Sequence, residues 1–185
     1  MPAPLRVCVI GLGNVFLGDD GFGPLVIENF RCGYECDSNV EVMDLGTPGL
    51  DLAPYLDGRD LIVVVDAVEA EGPPGTLSFY CEDDFVSQRA RLRVTGHDPG
   101  LWDSLAHLRL ADRSPSELIV VGVVPQSCRF GDGISQALLD SSGIAAGSIA
   151  GLLLQRGVAC HRRPGVVAQN LWWLPLPGAG IATTP

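Results

Sequence analysis

The sequence predicts a single three-layer α/β domain with a mostly parallel central sheet flanked by helices. Short apolar runs rich in branched residues alternate with segments of helical spacing along residues 1–160 of the 185-residue chain, and this order is typical of parallel strands joined by helices. Hydrophobic residues make up 46% of the chain and charged residues 18%, a composition that fits one compact core. We therefore expect one domain over residues 1–160.

The domain opens with a strand, a helix and a second strand. Residues 5–10 (LRVCVI) are a branched apolar run followed by Gly11, which predicts a buried strand. After a glycine-rich turn, residues 22–30 place apolar side chains near helical spacing. Residues 40–43 then predict a second strand that ends at Asp44.

The later elements continue the alternation. Residues 49–56 predict a short helix, and residues 61–65 (LIVVV) predict a buried central strand that ends at Asp66. The remaining predicted elements are an edge strand at 75–80, a helix at 99–108, a buried strand at 118–124, and one long or two shorter helices at 134–155. Residues 161–185, rich in proline and glycine with two tryptophans, sustain no period and are interpreted as a tail that either docks or stays free.

Charge and composition exclude several classes of partner. The formal net charge of -10 repels phosphate backbones, and the chain carries no Lys/Arg stripe, so nucleic acid is not an expected partner. The apolar start is interrupted by Arg6, Asn14 and glycines, which fits neither a membrane helix nor a secretory signal. We therefore expect a cytoplasmic protein with no membrane partner.

Six cysteines are scattered along the chain, and we expect them to be reduced thiols because a domain of this size needs no disulfides. Cys32 and Cys36 form the one close pair. They could share a metal, but without a second pair their interpretation as partly buried small residues is favoured.

Acidic residues follow three predicted strands. The first strand leads to Asp19 and Asp20, the second ends at Asp44, and the third ends at Asp66. Since parallel strands end at the same edge of a sheet, we expect these carboxylates to converge on one rim. Concentrated carboxylates repel one another, so a cation is the simplest occupant. His97, in a loop before a predicted helix, would complete a mixed ligand set that suits zinc, nickel or cobalt.

Each of these residues also has a structural alternative. One of Asp19 and Asp20 is expected to cap the helix that follows Gly21. Asp44 could cap the turn after it, and His97 could be a surface or capping residue. The residues alone do not decide between these structural roles and a role in metal binding.

The glycine turn has a second interpretation. Gly11-x-Gly13 after a strand, with Asp44 closing the second strand, is similar to a dinucleotide-binding fingerprint. Phe16 stands where the third glycine would allow close helix packing, and Asp19 and Asp20 lie where a pyrophosphate would sit. We therefore disfavour a dinucleotide site.

An ordered set of motifs along residues 5–160 is more specific than any one of them. The set consists of GLGNVFLGDDGFG at 11–23, DLGT at 44–47, LIVVVDA at 61–67, PGT at 74–76, His97, and VGVVPQS at 121–127. In order and spacing it resembles the hydrogenase maturation endopeptidases. Such enzymes remove a short C-terminal extension from the large-subunit precursor of a nickel-iron hydrogenase after nickel insertion.

The resemblance implies a partner, a metal and a site. The partner is the nickel-iron hydrogenase large-subunit precursor. Asp20, Asp66 and His97 contact nickel that the precursor supplies, and Asp44 is a further catalytic candidate. The alternative from another class is a non-catalytic nickel-binding assembly chaperone that inspects the same precursor without cutting it.

Overall fold

A computed structural model describes residues 3–48, 52–84, 93–94, 98–164, 171 and 173–174. Within these residues the strands are β1 (Val7–Leu12), β2 (Tyr34–Cys36), β3 (Val40–Gly46), β4 (Leu61–Glu69), β5 (Leu77–Cys81), β6 (Arg93–Val94), β7 (Glu117–Val123) and β8 (Cys160–Arg162). The α-helices are α1 (Phe22–Gly33), α2 (Ala53–Leu56), α3 (Asp98–Leu110) and α4 (Gln136–Gln155). A 3-10 helix, Gly18–Gly21, precedes α1.

The central sheet has the strand order β3-β1-β4-β7-β5, and β6 pairs with β4. β1 is parallel to both β3 and β4, and β4 is parallel to β7. β5 runs antiparallel to β7 at one end of this order. The predictions of a mostly parallel sheet and of an edge strand near residues 75–80 are confirmed.

Both faces of the sheet are buried under helices. Along β1, Val7 and Val9 belong to one apolar cluster, while Cys8 and Ile10 belong to the other. Successive side chains of a strand point to opposite faces, so one run of apolar residues serves two cores. Helices α1 and α4 complete the first cluster, and α2 and α3 complete the second. The predicted three-layer arrangement is therefore confirmed.

Two predicted strand ends are wrong in a way that matters for the site. β3 continues to Gly46, so Asp44 lies within that strand instead of ending it. β4 continues to Glu69, so Asp66 lies within the strand instead of ending it. The reason is that Asp66 pairs with Gly122 of β7, one residue past the last pairing of β4 with β1. Residues 136–155 form one continuous helix, which excludes the alternative of two shorter helices.

A small second sheet, which the sequence did not predict, joins β2 to β8. Its antiparallel register sets Cys36 opposite Cys160, and these two residues form a disulfide across 124 positions of sequence. The expectation that every cysteine is reduced is wrong for this pair, because strand register brings together thiols that lie far apart in sequence. The other four cysteines, Cys8, Cys32, Cys81 and Cys128, carry free thiols.

The predicted tail contacts the domain in the part that the structure describes. Residues 161–162 belong to β8, and Leu174 lines a cavity of about 790 Å³ beside α1 and α4. Trp173 is half-buried, whereas Trp172 lies outside the described residues. Docking is therefore favoured for the described portion of the tail.

Among the described helices, only α4 is long and apolar enough to cross a membrane by length and composition, with a mean hydropathy of 1.6. Its side chains at Leu138, Ala145, Ile149 and Leu153 are buried in the first apolar cluster. A core helix passes the same test of length and hydropathy, and these contacts identify α4 as one.

Candidate active site at the carboxyl edge of the sheet

The sheet is built outward from β1 in both directions, and a crevice lies where the direction of building changes. From β1 the chain passes through α1 to β3 on one side, and later strands build outward from β4 on the other. Helix α1 covers one face of the sheet and α2 the other. Ligands of open parallel sheets bind where the winding reverses, beyond the carboxyl ends of the strands. Here that place lies between the ends of β1 and β4.

Glycines allow the loop after β1 to fold tightly over this edge. A Cβ atom on Gly13 would lie 1.8 Å from the carbonyl oxygen of Asp20, and Gly13 has a φ of +131°. A Cβ on Gly23 would lie 2.1 Å from the carbonyl oxygen of Leu12 and 2.6 Å from that of Val65. Both positions therefore require glycine, and the second lets α1 start directly on the ends of β1 and β4.

Asp20 lies in the 3-10 helix between β1 and α1, and its side chain is buried. Its Oδ2 accepts a hydrogen bond from the N–H of Asn14 at 2.8 Å. The 3-10 helix packs against β4, the strand that carries Asp66. The loop thus turns back on itself and brings Asp20 to the crevice.

Asp66 is fully buried, and its Oδ1 accepts a hydrogen bond from the N–H of Ala67 at 2.8 Å. It directly follows Val65, the partner of Gly11, so it stands at the carboxyl end of β1, level with Leu12. We call Asp20 and Asp66 at this edge the acidic rim. Two buried carboxylates on one edge are unfavourable unless hydrogen bonds, protons or a cation compensate their charge.

Asp19, the neighbour of Asp20, has a structural role. Its Oδ2 accepts hydrogen bonds from the N–H groups of Gln126 and Ser127 at 2.6 and 3.2 Å, and its Oδ1 accepts one from Ser135 at 2.6 Å. Ser135 is the N-cap residue of α4. Asp19 therefore joins the loop after β1 to the loop between β7 and α4.

The expectation that Asp19 or Asp20 caps the helix after Gly21 is wrong. Gly21 is the N-cap residue of α1, and no side chain donates or accepts a capping hydrogen bond there. The two carboxylates are engaged elsewhere, Asp19 by backbone groups more than 100 positions away and Asp20 by Asn14. Sequence spacing carries no signal for the contacts of Asp19.

The thiol of Cys128 is affected by the negative charges of the carboxylates at this edge. Nothing in the sequence indicates that Cys128 belongs near the site. The pKa of its thiol is raised to about 11, chiefly by burial and then by the negative charges of Asp20, Asp19 and Asp66, in that order of strength. All three carboxylates therefore lie close enough to act on one side chain. The thiol stays protonated at neutral pH.

Asp44 is exposed on β3, the strand on the other side of β1. Its Oδ1 accepts a hydrogen bond from the N–H of Gly46 at 2.9 Å, which supports the alternative role of capping this turn. Asp44 pairs with Gly11, which in turn pairs with Val65. Two strand spacings, about 10 Å, therefore separate the backbone of Asp44 from that of β4.

His97 lies outside the described residues. The described positions nearest to it in sequence are Val94, which pairs with Val68 two residues past Asp66, and Asp98, where α3 begins. Among the residues that the structure describes, no three histidine, cysteine or acidic side chains are placed to hold one metal ion. Asp20 and Asp66 offer oxygen donors that fit a divalent ion, but they form an incomplete ligand set by themselves.

Comparison with known proteins identifies similar chains. The profile of the hydrogenase maturation protease family matches residues 24–150. The hydrogenase expression/formation protein HupD of Bradyrhizobium diazoefficiens is 28% identical over 166 residues, covering 89% of this chain and 86% of the relative. The hydrogenase 2 maturation protease of Escherichia coli is 33% identical over 124 residues, covering 66% and 75%. Among solved structures, the E. coli hydrogenase maturating endopeptidase HybD superposes with a TM-score of 0.79 at 28% identity, covering 86% of this chain and 98% of that one.

Proposed function

The chain belongs to the hydrogenase maturation protease family, and from that membership we propose that its acidic rim reads the metal centre of a hydrogenase precursor. The protein is a hydrolase, a C-terminal processing endopeptidase, as the similarity to maturation proteases indicates. The alternative of a non-catalytic assembly chaperone lacks this support. The proposed substrate is the large-subunit precursor of a nickel-iron hydrogenase, from which a short C-terminal extension is removed after nickel insertion.

The observation that carries the proposal is the pair of buried carboxylates at the topological crevice. Asp20 lies in the 3-10 helix after β1 and Asp66 lies in β4, and both act electrostatically on Cys128. Such a pair gains free energy from a cation that arrives with the substrate, since the cation compensates the buried negative charge. The nickel of the precursor, rather than a resident cofactor, is the ion that we assign to this role.

The proposed roles divide among four residues. Asp20 and Asp66 hold the nickel-bearing end of the precursor at the rim, and His97 supplies a nitrogen ligand. With the scissile bond fixed in this way, a water molecule activated by a carboxylate or by the metal attacks the peptide carbonyl. Asp44, on β3 at the other side of β1, is a candidate for assisting the base, and its backbone distance from β4 favours assistance through a water molecule.

The test is cleavage of the purified precursor, with and without nickel, followed by intact mass spectrometry. We expect the precursor to lose its C-terminal extension only when nickel is loaded. Asp20→Asn, Asp66→Asn and His97→Ala should each lower the cleavage rate at least about 100-fold, as expected for groups that position the reaction. Matched controls are Asp103→Asn and His107→Ala, both exposed on α3, which should cleave at the wild-type rate.

Two results would contradict the proposal in different ways. Equal cleavage of nickel-free and nickel-loaded precursor would exclude recognition of the metal by the rim but would still support the protease activity. Tight binding without cleavage under any loading would favour the chaperone alternative. Urea unfolding of each variant separates a lost chemical role from a lost fold.

We also propose a cytoplasmic location. The four free thiols of Cys8, Cys32, Cys81 and Cys128 are what a reducing compartment favours, whereas the Cys36–Cys160 disulfide is unusual there. Cell fractionation combined with thiol labelling of Cys36 tests both points. A protein recovered outside the cytoplasm with Cys36 fully oxidised would contradict the location.

A further inference from the structure

Two exposed aromatic side chains belong to the loop after β1 and the loop after β7, which Asp19 joins next to the acidic rim. Phe16 follows β1 and is 54% exposed, and Phe130 follows β7 and is 81% exposed. The main-chain N–H of Gly131 donates a hydrogen bond to the carbonyl oxygen of Phe16 at 3.0 Å. The two loops are thus joined at Phe16 and at the residue that follows Phe130.

The loop after β1 is also fastened to the rim itself, and the loop after β7 is fastened to Asp19, the neighbour of Asp20. The side-chain Oδ1 of Asn14 accepts a hydrogen bond from the N–H of Phe16 at 3.0 Å, while the N–H of Asn14 donates to Asp20 at 2.8 Å. On the other loop, the N–H groups of residues 126–127 donate to Asp19. The backbone beneath the rings is therefore held in place before any ligand binds, which lowers the entropy lost on binding.

The chemistry of this surface selects its occupant. Exposed phenylalanine rings gain most by contact with other apolar side chains, and each presents a large apolar area. The carboxylates of Asp20 and Asp66 disfavour an acidic segment beside them. Scattered apolar side chains are ordinary on protein surfaces, but these two stand on loops that are hydrogen-bonded to each other next to the rim. The surface fits an apolar segment that lacks acidic residues.

We propose that Phe16 and Phe130 are substrate-recognition residues that hold an apolar segment of the hydrogenase precursor beside its scissile bond. This inference rests on the proposed function. The rings contribute to affinity and do not touch the reacting atoms. Their loss is therefore expected to raise KM and to leave kcat nearly unchanged.

The test compares Phe16→Ser, Phe130→Ser and the double variant with wild type in steady-state cleavage of the nickel-loaded precursor. We expect the double variant to raise KM about tenfold with kcat within about twofold, as for the loss of two aromatic anchors. Restoring an apolar side chain, with Phe16→Leu and Phe130→Leu together, should recover most of the affinity. The control is Leu110→Ser at the end of α3, a leucine that is 90% exposed.

A second measurement separates this inference from the proposed function. The dissociation constant of the precursor is measured on Asp66→Asn protein, with and without the two serine substitutions. Weaker binding in the serine variants supports recognition by the rings even if no chain cleaves the precursor. A KM within twofold of wild type together with a dissociation constant within twofold of Asp66→Asn alone, or an equal effect of Leu110→Ser, would overturn the inference.

Discussion

Two adjacent carboxylates, Asp19 and Asp20, have opposite roles although they share charge, burial and position in the chain. Asp19 accepts three main-chain hydrogen bonds from the loop after β7 and from the start of α4. Asp20 turns to the crevice and accepts a hydrogen bond from the N–H of Asn14. The first therefore stabilises the loops, and the second is available for chemistry at the rim.

Replacing Asp19 should test this division through stability. Asp19→Asn keeps one acceptor oxygen but sets an NH₂ group against main-chain donors, and hydrogen bonds to a buried charged group contribute about 1.5–3 kcal/mol each. We expect the free energy of unfolding in urea to fall by about 2–4 kcal/mol. The matched control is Asp44→Asn, which affects one exposed hydrogen bond to Gly46 and should change stability by less than about 1 kcal/mol. Equal effects of the two substitutions would contradict a structural role for Asp19.

At the scale of elements, the contact between α1 and the strand ends is set by a glycine. The backbone oxygens of Leu12 and Val65 occupy the space in which a Cβ on Gly23 would lie. Because those atoms belong to β1 and β4, neither can move without disturbing the sheet on which the rim stands. Close approach of helix and strand here is thus a condition for placing Asp20.

A pair of helix glycines tests that condition. Gly23→Ala should lower the free energy of unfolding by at least about 2 kcal/mol, because the added methyl group overlaps backbone atoms. Gly143→Ala in α4 meets nothing within 4 Å and should stabilise the protein by up to about 1 kcal/mol through helix propensity. Thermal and urea unfolding of both variants measure whether each substitution lowers or raises the free energy of unfolding. Gly23→Ala with wild-type stability would show that the helix can shift away from the strands.

For the whole molecule, the winding of the sheet and one covalent link decide the geometry. The reversal at β1 puts the loop after β1 beside β4, and that single topological feature assembles the acidic rim. Directly after the C-terminal end of α1, the Cys36–Cys160 disulfide joins β2 to β8. The disulfide therefore connects β8 covalently to a strand that lies 124 positions earlier in the sequence.

Reduction of this link should lower the stability of the entire domain. Cross-links over long sequence separations typically contribute about 2–4 kcal/mol, so we expect a loss of that size when unfolding is measured with a reductant. Cys36→Ser should unfold alike with and without reductant, whereas the control Cys81→Ser should respond like wild type. Wild-type protein that is insensitive to reductant would contradict a role for the disulfide in stability.

The sequence by itself determined the layers, the parallel strands and the presence of aspartates near the carboxyl ends of the strands. Apolar runs such as residues 61–65 predict a buried strand, because a strand covered on both faces is apolar at nearly every position. The ordered glycine and aspartate motifs likewise indicated the family. These properties depend on residues close together in the chain, so a linear pattern is enough to predict them.

Only the tertiary structure decided which aspartate supports the loops, how far β4 extends, and that Cys36 meets Cys160. Asp19 bonds to residues 126–135, Asp66 continues its strand because Gly122 of β7 lies beside it, and the disulfide follows from the register of β2 and β8. Each outcome depends on groups that lie more than 50 positions apart in the chain. Local spacing contains no record of such contacts, since they arise only when the sheet is wound and its strands take their register.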